Sequence, residues 1–186
     1  MRYEIVIAGA GGQGVILAGT VVGTAVAVFQ DLNATQVSSY GPEARGGHVF
    51  TELVISDEDI GYPGVEEPDI LVAMSQWAYE EFSGRVRSGG LIIYDPDLVE
   101  PGKASPGVRE VPVPATSLAE EQVGLKLSAN MVMVGVLTAF CDLIEARAVE
   151  EAIRYRVGRR LEENLRAFRL GYELGLRLRS SEAEGF

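Results

Sequence analysis

A chain of 186 residues, 47% of them apolar, can bury a sizeable core within one domain, which excludes the disordered and fibrous classes. The formal charge of -11 argues against nucleic-acid binding, because Lys and Arg contacts to phosphate supply most of that affinity. One cysteine, Cys141, lies in an apolar run, so intrachain disulfides and a cysteine-ligated metal cluster are excluded, and a reducing cytoplasm fits best.

The chain opens on a β-branched run at 3–8, ending in glycines, which predicts a buried strand. Residues 15–29 follow as a helix apolar nearly all round, with Ala18, Gly19 and Gly23 small enough for close approach to a sheet. No charge occurs from Ile5 to Gln30, yet a membrane span or signal peptide is rejected. Four glycines within 9–14 would break a spanning helix, and Arg2 is offset by Glu4.

A second strand is predicted at 33–37 and a third at 48–55, separated by the sequence SSYGPEARGG. Tyr40-Gly41-Pro42-Glu43 cannot continue a strand, so the whole of 38–47 reads as a loop. Further on come a strand at 69–74 running into a helix at 76–82, a strand at 91–95, a Pro- and Gly-rich loop at 96–107, and a last strand at 108–113. The remainder is helical: a core helix at 128–145, whose methionines are packing, and an amphipathic terminal helix marked by Leu161, Leu165, Phe168, Tyr172 and Leu176. Alternating strands and helices predict a three-layer α/β/α fold with a mainly parallel, Rossmann-like sheet. It forms a single domain, with 1–125 as α/β core and 126–186 as C-terminal helices.

The glycine loop carries the first functional signal. Gly9, Gly11 and Gly14 satisfy G-x-G-x-x-G between strand and helix, a context in which backbone N–H groups at the helix start face an anion. Dinucleotide binding would further need an acidic residue at the end of the second strand. That end reads Val37-Ser38-Ser39-Tyr40, and Asp31 precedes the strand at its wrong end, so the NAD reading loses its main support. Loops after parallel strands gather along one edge, which should bring 38–47 beside the glycine loop. Arg45 would there add a guanidinium suited to phosphate, Glu43 would orient it or bind a hydroxyl, and Gly46-Gly47 would admit a bulky partner.

No nucleophile and base pair up. The only histidine, His48, starts a strand and reads as structural, while Ser38, Ser39 and Cys141 lack partners. Residues 154–179 hold eight arginines against Glu162, Glu163 and Glu173, an excess of five, so the rest of the chain, at -11 overall, sums to -16. Two readings stay open for this segment: a solvated helix face, or a docking surface for an acidic partner.

Several motifs together resemble the gamma subunit, or gamma domain, of the 2-oxoacid:ferredoxin oxidoreductases, which act on pyruvate, 2-oxoglutarate, branched-chain 2-oxoacids and indolepyruvate. They are Gly9-Ala10-Gly11-Gly12-Gln13-Gly14-Val15 with Ala18-Gly19, then Ser39-Tyr40-Gly41-Pro42-Glu43-Ala44-Arg45-Gly46-Gly47, then Pro68-Asp69-Ile70-Leu71-Val72-Ala73. Pro114-Ala115-Thr116 and Ala129-Asn130-Met131-Val132-Met133-Val134-Gly135 complete the set, in the family's order over residues 3 to about 140. The resemblance implies a non-catalytic subunit of an enzyme that decarboxylates a 2-oxoacid, reduces ferredoxin and forms an acyl-CoA. Thiamine diphosphate and iron-sulfur clusters would sit in the partners, which are the alpha and beta subunits and, where one exists, a ferredoxin-like delta subunit.

Neither a nucleic acid nor a membrane is expected as a partner. The resemblance also implies that this chain supports assembly and the CoA side of the site. Contacts are expected at Gly9, Gly11, Gly12, Gln13 and Gly14, at Tyr40, Glu43, Arg45, Gly46 and Gly47, and at Asn130. The alternatives are a stand-alone adenine-nucleotide-binding module of Rossmann type and a scaffold whose loops serve only packing.

Overall fold

The computed structural model describes residues 1–40 and 47–183. Six strands, β1 (Arg2–Ala10), β2 (Asn33–Tyr40), β3 (His48–Ser56), β4 (Ile70–Ala73), β5 (Leu91–Tyr94) and β6 (Arg109–Pro112), form one sheet in the order β2-β3-β1-β4-β5-β6. The helices are α1 (Val15–Thr24), α2 (Gln76–Phe82), α3 (Ala115–Leu118), α4 (Ala129–Phe140), α5 (Ala146–Arg156) and α6 (Leu161–Ala183).

Side chains of β1 alternate between two cores, as a pleated strand buried on both faces must. Ile5 and Ile7 pack with α1, α4, α5 and α6, whereas Val6 and Ala8 pack with Tyr79 and Phe82 of α2. The result is three layers, with most of the helical mass on one face. Strands β1, β4, β5 and β6 pair in parallel, as expected, with α2 between β4 and β5 and a long loop between β5 and β6.

Strand β3 departs from that pattern, running antiparallel to both β1 and β2. The seven residues 41–47 are too few for the crossover that a parallel pair requires, so β2 and β3 close as a hairpin. The same pairing corrects the predicted start of the loop. Ser38, Ser39 and Tyr40 continue β2, opposite Thr51, Phe50 and Val49, because β3 supplies the ladder partners that local sequence could not reveal.

The long helix predicted at 128–145 is also divided. It ends at Phe140, and a turn leads into α5. Gln30, at the end of the π-helical turn Ala25–Phe29 that extends α1, clamps this turn from a distance. Its Nε2 donates to the Leu143 carbonyl at 2.8 Å and its Oε1 accepts from Glu145 N at 3.0 Å. Cys141 is buried there, and burial pushes its thiol up to about 12, which makes it a packing residue rather than a nucleophile.

Helices α4 and α6 touch backbone to backbone. A Cβ on Gly171 would fall 2.9 Å from Val132 Cα and closer still to its carbonyl oxygen; one on Gly175 would fall 2.6 Å from Ala139 Cβ. Gly135 faces Phe168 and Tyr172 from the opposite side. The arginines of 154–179 are largely engaged within the chain. Arg169 grips Glu150 through two bonds of 2.8 and 3.1 Å, Arg179 reaches Asp142, Arg154 pairs with Glu150 and Glu151, and Arg166 donates to the Gln122 carbonyl.

Two outcomes follow for stability. Alanine is the better helix former, yet Gly171→Ala should destabilise the chain by about 1–3 kcal/mol in denaturant titration, because the added methyl overpacks the α4–α6 crossing. The Arg169 guanidinium lowers the Glu150 carboxyl below its ordinary range, chiefly through the direct hydrogen bond. The pair therefore stabilises above the unfolded carboxylate pKa, and that gain disappears as pH falls through the lower folded value. Arg169→Ala should lose roughly 0.5–1 kcal/mol at neutral pH, and wild type and variant should converge in acid.

Candidate functional site

The carboxyl ends of β1, β2, β4 and β5 share one edge of the sheet, the edge at which open α/β sheets bind ligands. There the glycine loop turns the chain from β1 into α1. Its cap residue, Gly14, is left-handed at φ 72, and Asn130 occupies the space that a Cβ would need. The Asn130 Nδ2 donates to the Gly14 carbonyl at 3.2 Å, tying the first turn to the start of α4. Asn130 is buried, and its Oδ1 accepts from Met131 N at 2.8 Å, so the side chain is fixed at both ends.

Gln13 is turned inward. Its Oε1 accepts from Ala10 N and its Nε2 donates to the Met74 carbonyl, both at 2.7 Å, which joins the ends of β1 and β4. Gly9 sits beneath that side chain. The Gly11 N–H donates to the Gly47 carbonyl at 2.8 Å, and Gln13 N donates to the Ala10 carbonyl at 3.2 Å. Part of the loop's donor set is thus used internally. The first-turn amides of α1 are left without a side-chain cap, since Gly14 has none to offer.

The Gly11–Gly47 bond brings the two glycine-bearing segments together, as expected from their common edge. The reason differs in part, because an antiparallel β3 lies between β1 and β2. Glu43, Arg45 and Gly46 lie outside the described residues. Tyr40 closes β2 opposite Val49. His48 stacks on Trp77 with ring centroids 4.1 Å apart and 9° between planes, a packing contact rather than a base.

Two cavities flank the loop. One, of about 430 Å³, runs from Gly12 and Gly14 past Asn130 to Arg156, Arg159 and Arg160, the segment joining α5 to α6. The other, of about 250 Å³, lies between Gln13, Met74, Leu98, Thr116 and Lys126. Gly12 and Leu127 border both. Thr116 is oriented by buried Asp95 at the end of β5, whose Oδ2 accepts from the Thr116 hydroxyl at 2.6 Å and from its N–H at 2.9 Å.

Sequence reading missed Asp95 and the α5–α6 arginines as neighbours of this edge. The aspartate directly after a buried strand was the available signal for the first; nothing local marked the second. Among the described residues no group of three or more His, Cys, Asp or Glu side chains could hold a metal ion, and no helix is long and apolar enough to cross a membrane.

Comparison with known proteins agrees with this architecture. Residues 4–174 match the family model described as pyruvate ferredoxin/flavodoxin oxidoreductase. The 2-oxoglutarate synthase subunit KorC of Methanothermobacter marburgensis is 50% identical over 180 residues, covering 94% of this chain and 97% of the relative. The crystal structure of the keto/oxoacid ferredoxin oxidoreductase gamma subunit from Geobacter sulfurreducens superposes with a TM-score of 0.82 at 34% identity, covering 94% of this chain and 99% of that one.

A 2-oxoglutarate:ferredoxin oxidoreductase from Magnetococcus marinus, solved with 2-oxoglutarate, coenzyme A and succinyl-CoA bound, superposes with a TM-score of 0.85 at 27% identity. That alignment covers 95% of this chain but 31% of the longer one, so the present fold forms one part of a larger polypeptide there. The chain therefore belongs to the pyruvate ferredoxin/flavodoxin oxidoreductase family, as a member of its gamma-subunit type.

Proposed function

We propose that this chain is the gamma subunit of a cytoplasmic 2-oxoacid:ferredoxin oxidoreductase, supporting assembly and forming a wall of the site that receives coenzyme A. The match to KorC over 94% of this chain carries this reading. It is supported by the groove at the carboxyl edge of the sheet, where the first turn of α1 and the α5–α6 arginines face a common space. The bound coenzyme A and succinyl-CoA in the Magnetococcus enzyme favour CoA as the ligand that this edge serves. The names of that enzyme and of KorC favour 2-oxoglutarate among the 2-oxoacids.

The chemistry of decarboxylation and electron transfer is assigned to partner subunits carrying thiamine diphosphate and iron-sulfur clusters. A cluster takes about four cysteine ligands, and this chain has the one buried thiol of Cys141. In this reading the chain's own residues bind and position. A stand-alone adenine-nucleotide module is not favoured, since Ser38, Ser39 and Tyr40 at the end of β2 include no carboxylate for a ribose.

Co-expression with the alpha and beta subunits of the same enzyme should yield a complex that oxidises 2-oxoglutarate in a CoA-dependent manner. Asn130→Ala should leave assembly intact and raise the KM for CoA about fivefold, the effect of losing one positioning hydrogen bond. Assembly and full turnover of the partners without this chain would contradict the proposal.

A further inference from the structure

The two edges of the sheet differ in how they are protected. Strand β6, at one edge, has four residues, includes Arg109, Glu110 and Pro112, and is tied to the end of α6 by an Arg109–Glu182 bond of 2.8 Å. Short length, charge and proline all keep an edge from pairing with another chain. Strand β2, at the other edge, has none of these. It runs for eight residues, Asn33 to Tyr40, with no charge and no proline, and among the described residues no strand pairs with its outer side. Such an edge offers a row of backbone donors and acceptors to an incoming strand.

Apolar side chains flank this edge on both faces of the sheet. Gln36 accepts from the Thr20 hydroxyl and donates to the Ile16 carbonyl of α1, so the alternation of the strand puts Val37 on the opposite face, where it is 45% exposed. On the α1 face, Ala27, Val28 and Phe29 are consecutive exposed apolar residues in the π-helical turn that extends α1. Leaving such a run in water forgoes burial that a partner would supply. Phe29 meets Tyr155 of α5 edge to face, with ring centroids 6.3 Å apart, and Tyr155 is itself 66% exposed. The Arg156 guanidinium lies 5.0 Å from the Tyr155 ring centroid. Aromatic and arginine side chains beside exposed aliphatic ones have the composition of a protein-binding hot spot.

Arg156 sets the charge of what can dock there. Its Nε donates to the Thr24 hydroxyl at 2.9 Å, which fixes the guanidinium, and its two terminal nitrogens have no acceptor among the described residues. It borders a hollow of about 190 Å³ between the extended end of α1 and β2, where Gly23, Ala27 and Ala34 leave the space and no acidic side chain lines it. That volume suits one protein side chain and falls below the roughly 300–1,000 Å³ of small-molecule sites. A fixed guanidinium at the end of such a hollow is matched by a carboxylate.

We propose that β2 is the docking edge for an extended acidic segment of a partner subunit. The segment pairs with β2 as a seventh strand, sets an Asp or Glu side chain against Arg156, and covers Val28, Phe29, Tyr155 and Val37. A second copy of this chain fits less well. Paired across a twofold axis, it would present its own uncharged β2, with no carboxylate for Arg156. The proposal deepens the reading of the chain as the gamma subunit of a multi-chain oxidoreductase and rests on it.

The test is assembly. The full chain and its variants are co-expressed with the alpha and beta subunits, the complex is captured through a tag on alpha, and the amount of this chain recovered is measured, with thermal melting of each purified variant as the folding control. Val28 and Val37 are exposed, so Val28→Lys and Val37→Lys are suited to leave the fold undisturbed. Each should weaken association with the partners by about tenfold, and Arg156→Glu should weaken it more than Arg156→Lys. Added salt should loosen the wild-type complex more than the Arg156→Ala complex, because it screens the ion pair. A photo-crosslinking residue placed at Val28 should join this chain to a partner-subunit peptide that contains Asp or Glu.

If the wild-type chain assembles with its partners and the Val28, Val37 and Arg156 variants are recovered as fully, β2 is not the docking edge, and the gamma-subunit reading stands without it. A crosslink between two copies of this chain, or to a partner peptide lacking Asp and Glu, would show that the assigned occupant is wrong. If the wild-type chain is not recovered with the alpha and beta subunits at all, the gamma-subunit reading fails and the docking edge fails with it.

Discussion

A single amide contact organises the functional edge of this protein. Asn130, at the start of α4, donates to the carbonyl of Gly14 and occupies the space where any other residue at 14 would carry its Cβ. The contact couples the first β–α turn to the C-terminal helices, two parts separated by 116 positions in the chain. Asn130 is buried and satisfied at both ends, so its position is set by packing as well as by hydrogen bonds. The glycine loop is consequently fastened on its inner side, by Gln13 and Gly47 as well, while among the described residues nothing lies within 4 Å of a Cβ added at Gly12.

The helical layer carries the second half of the arrangement. Gly135, Gly171 and Gly175 let α4 and α6 approach until backbones touch. That approach fixes where α6 begins, and so where the α5–α6 turn presents Arg159 and Arg160. The ion pairs of Arg154, Arg169 and Arg179 add surface stapling that is weak individually and orienting collectively. All eight arginines of the segment are exposed; Arg154, Arg169 and Arg179 pair with carboxylates of the chain, and Arg156, Arg159 and Arg160 border the groove.

Local pattern made the four parallel strands, α1, α2 and the glycine turn legible, because buried β-branched runs and a G-x-G-x-x-G between strand and helix have few other solutions. Partners distant in sequence decided the rest. Ser38 to Tyr40 look like loop until β3 is placed beside them, and a continuous helix over 128–145 looks natural until Gln30 stabilises the turn after Phe140. The family motifs pointed to Asn130 without disclosing its work, which is to hold Gly14. The nearness of Arg156, Arg159 and Arg160 to the glycine loop depends on how α5 and α6 pack against α1 and α4. The expected roles of Glu43 and Arg45 fall on residues outside those described.

As proposed above, this chain is a positioning subunit: it contributes a groove beside the glycine loop and leaves the reacting groups to its partners. Coenzyme A is received, on this proposal, at the carboxyl edge of the sheet, between the first turn of α1 and the α5–α6 turn. Hydrogen–deuterium exchange on the assembled enzyme, with and without saturating CoA, tests this most directly. Slowed exchange is expected in both 11–17 and 156–164 when CoA is bound. Protection confined to other parts of this chain, or to the partner subunits alone, would contradict it.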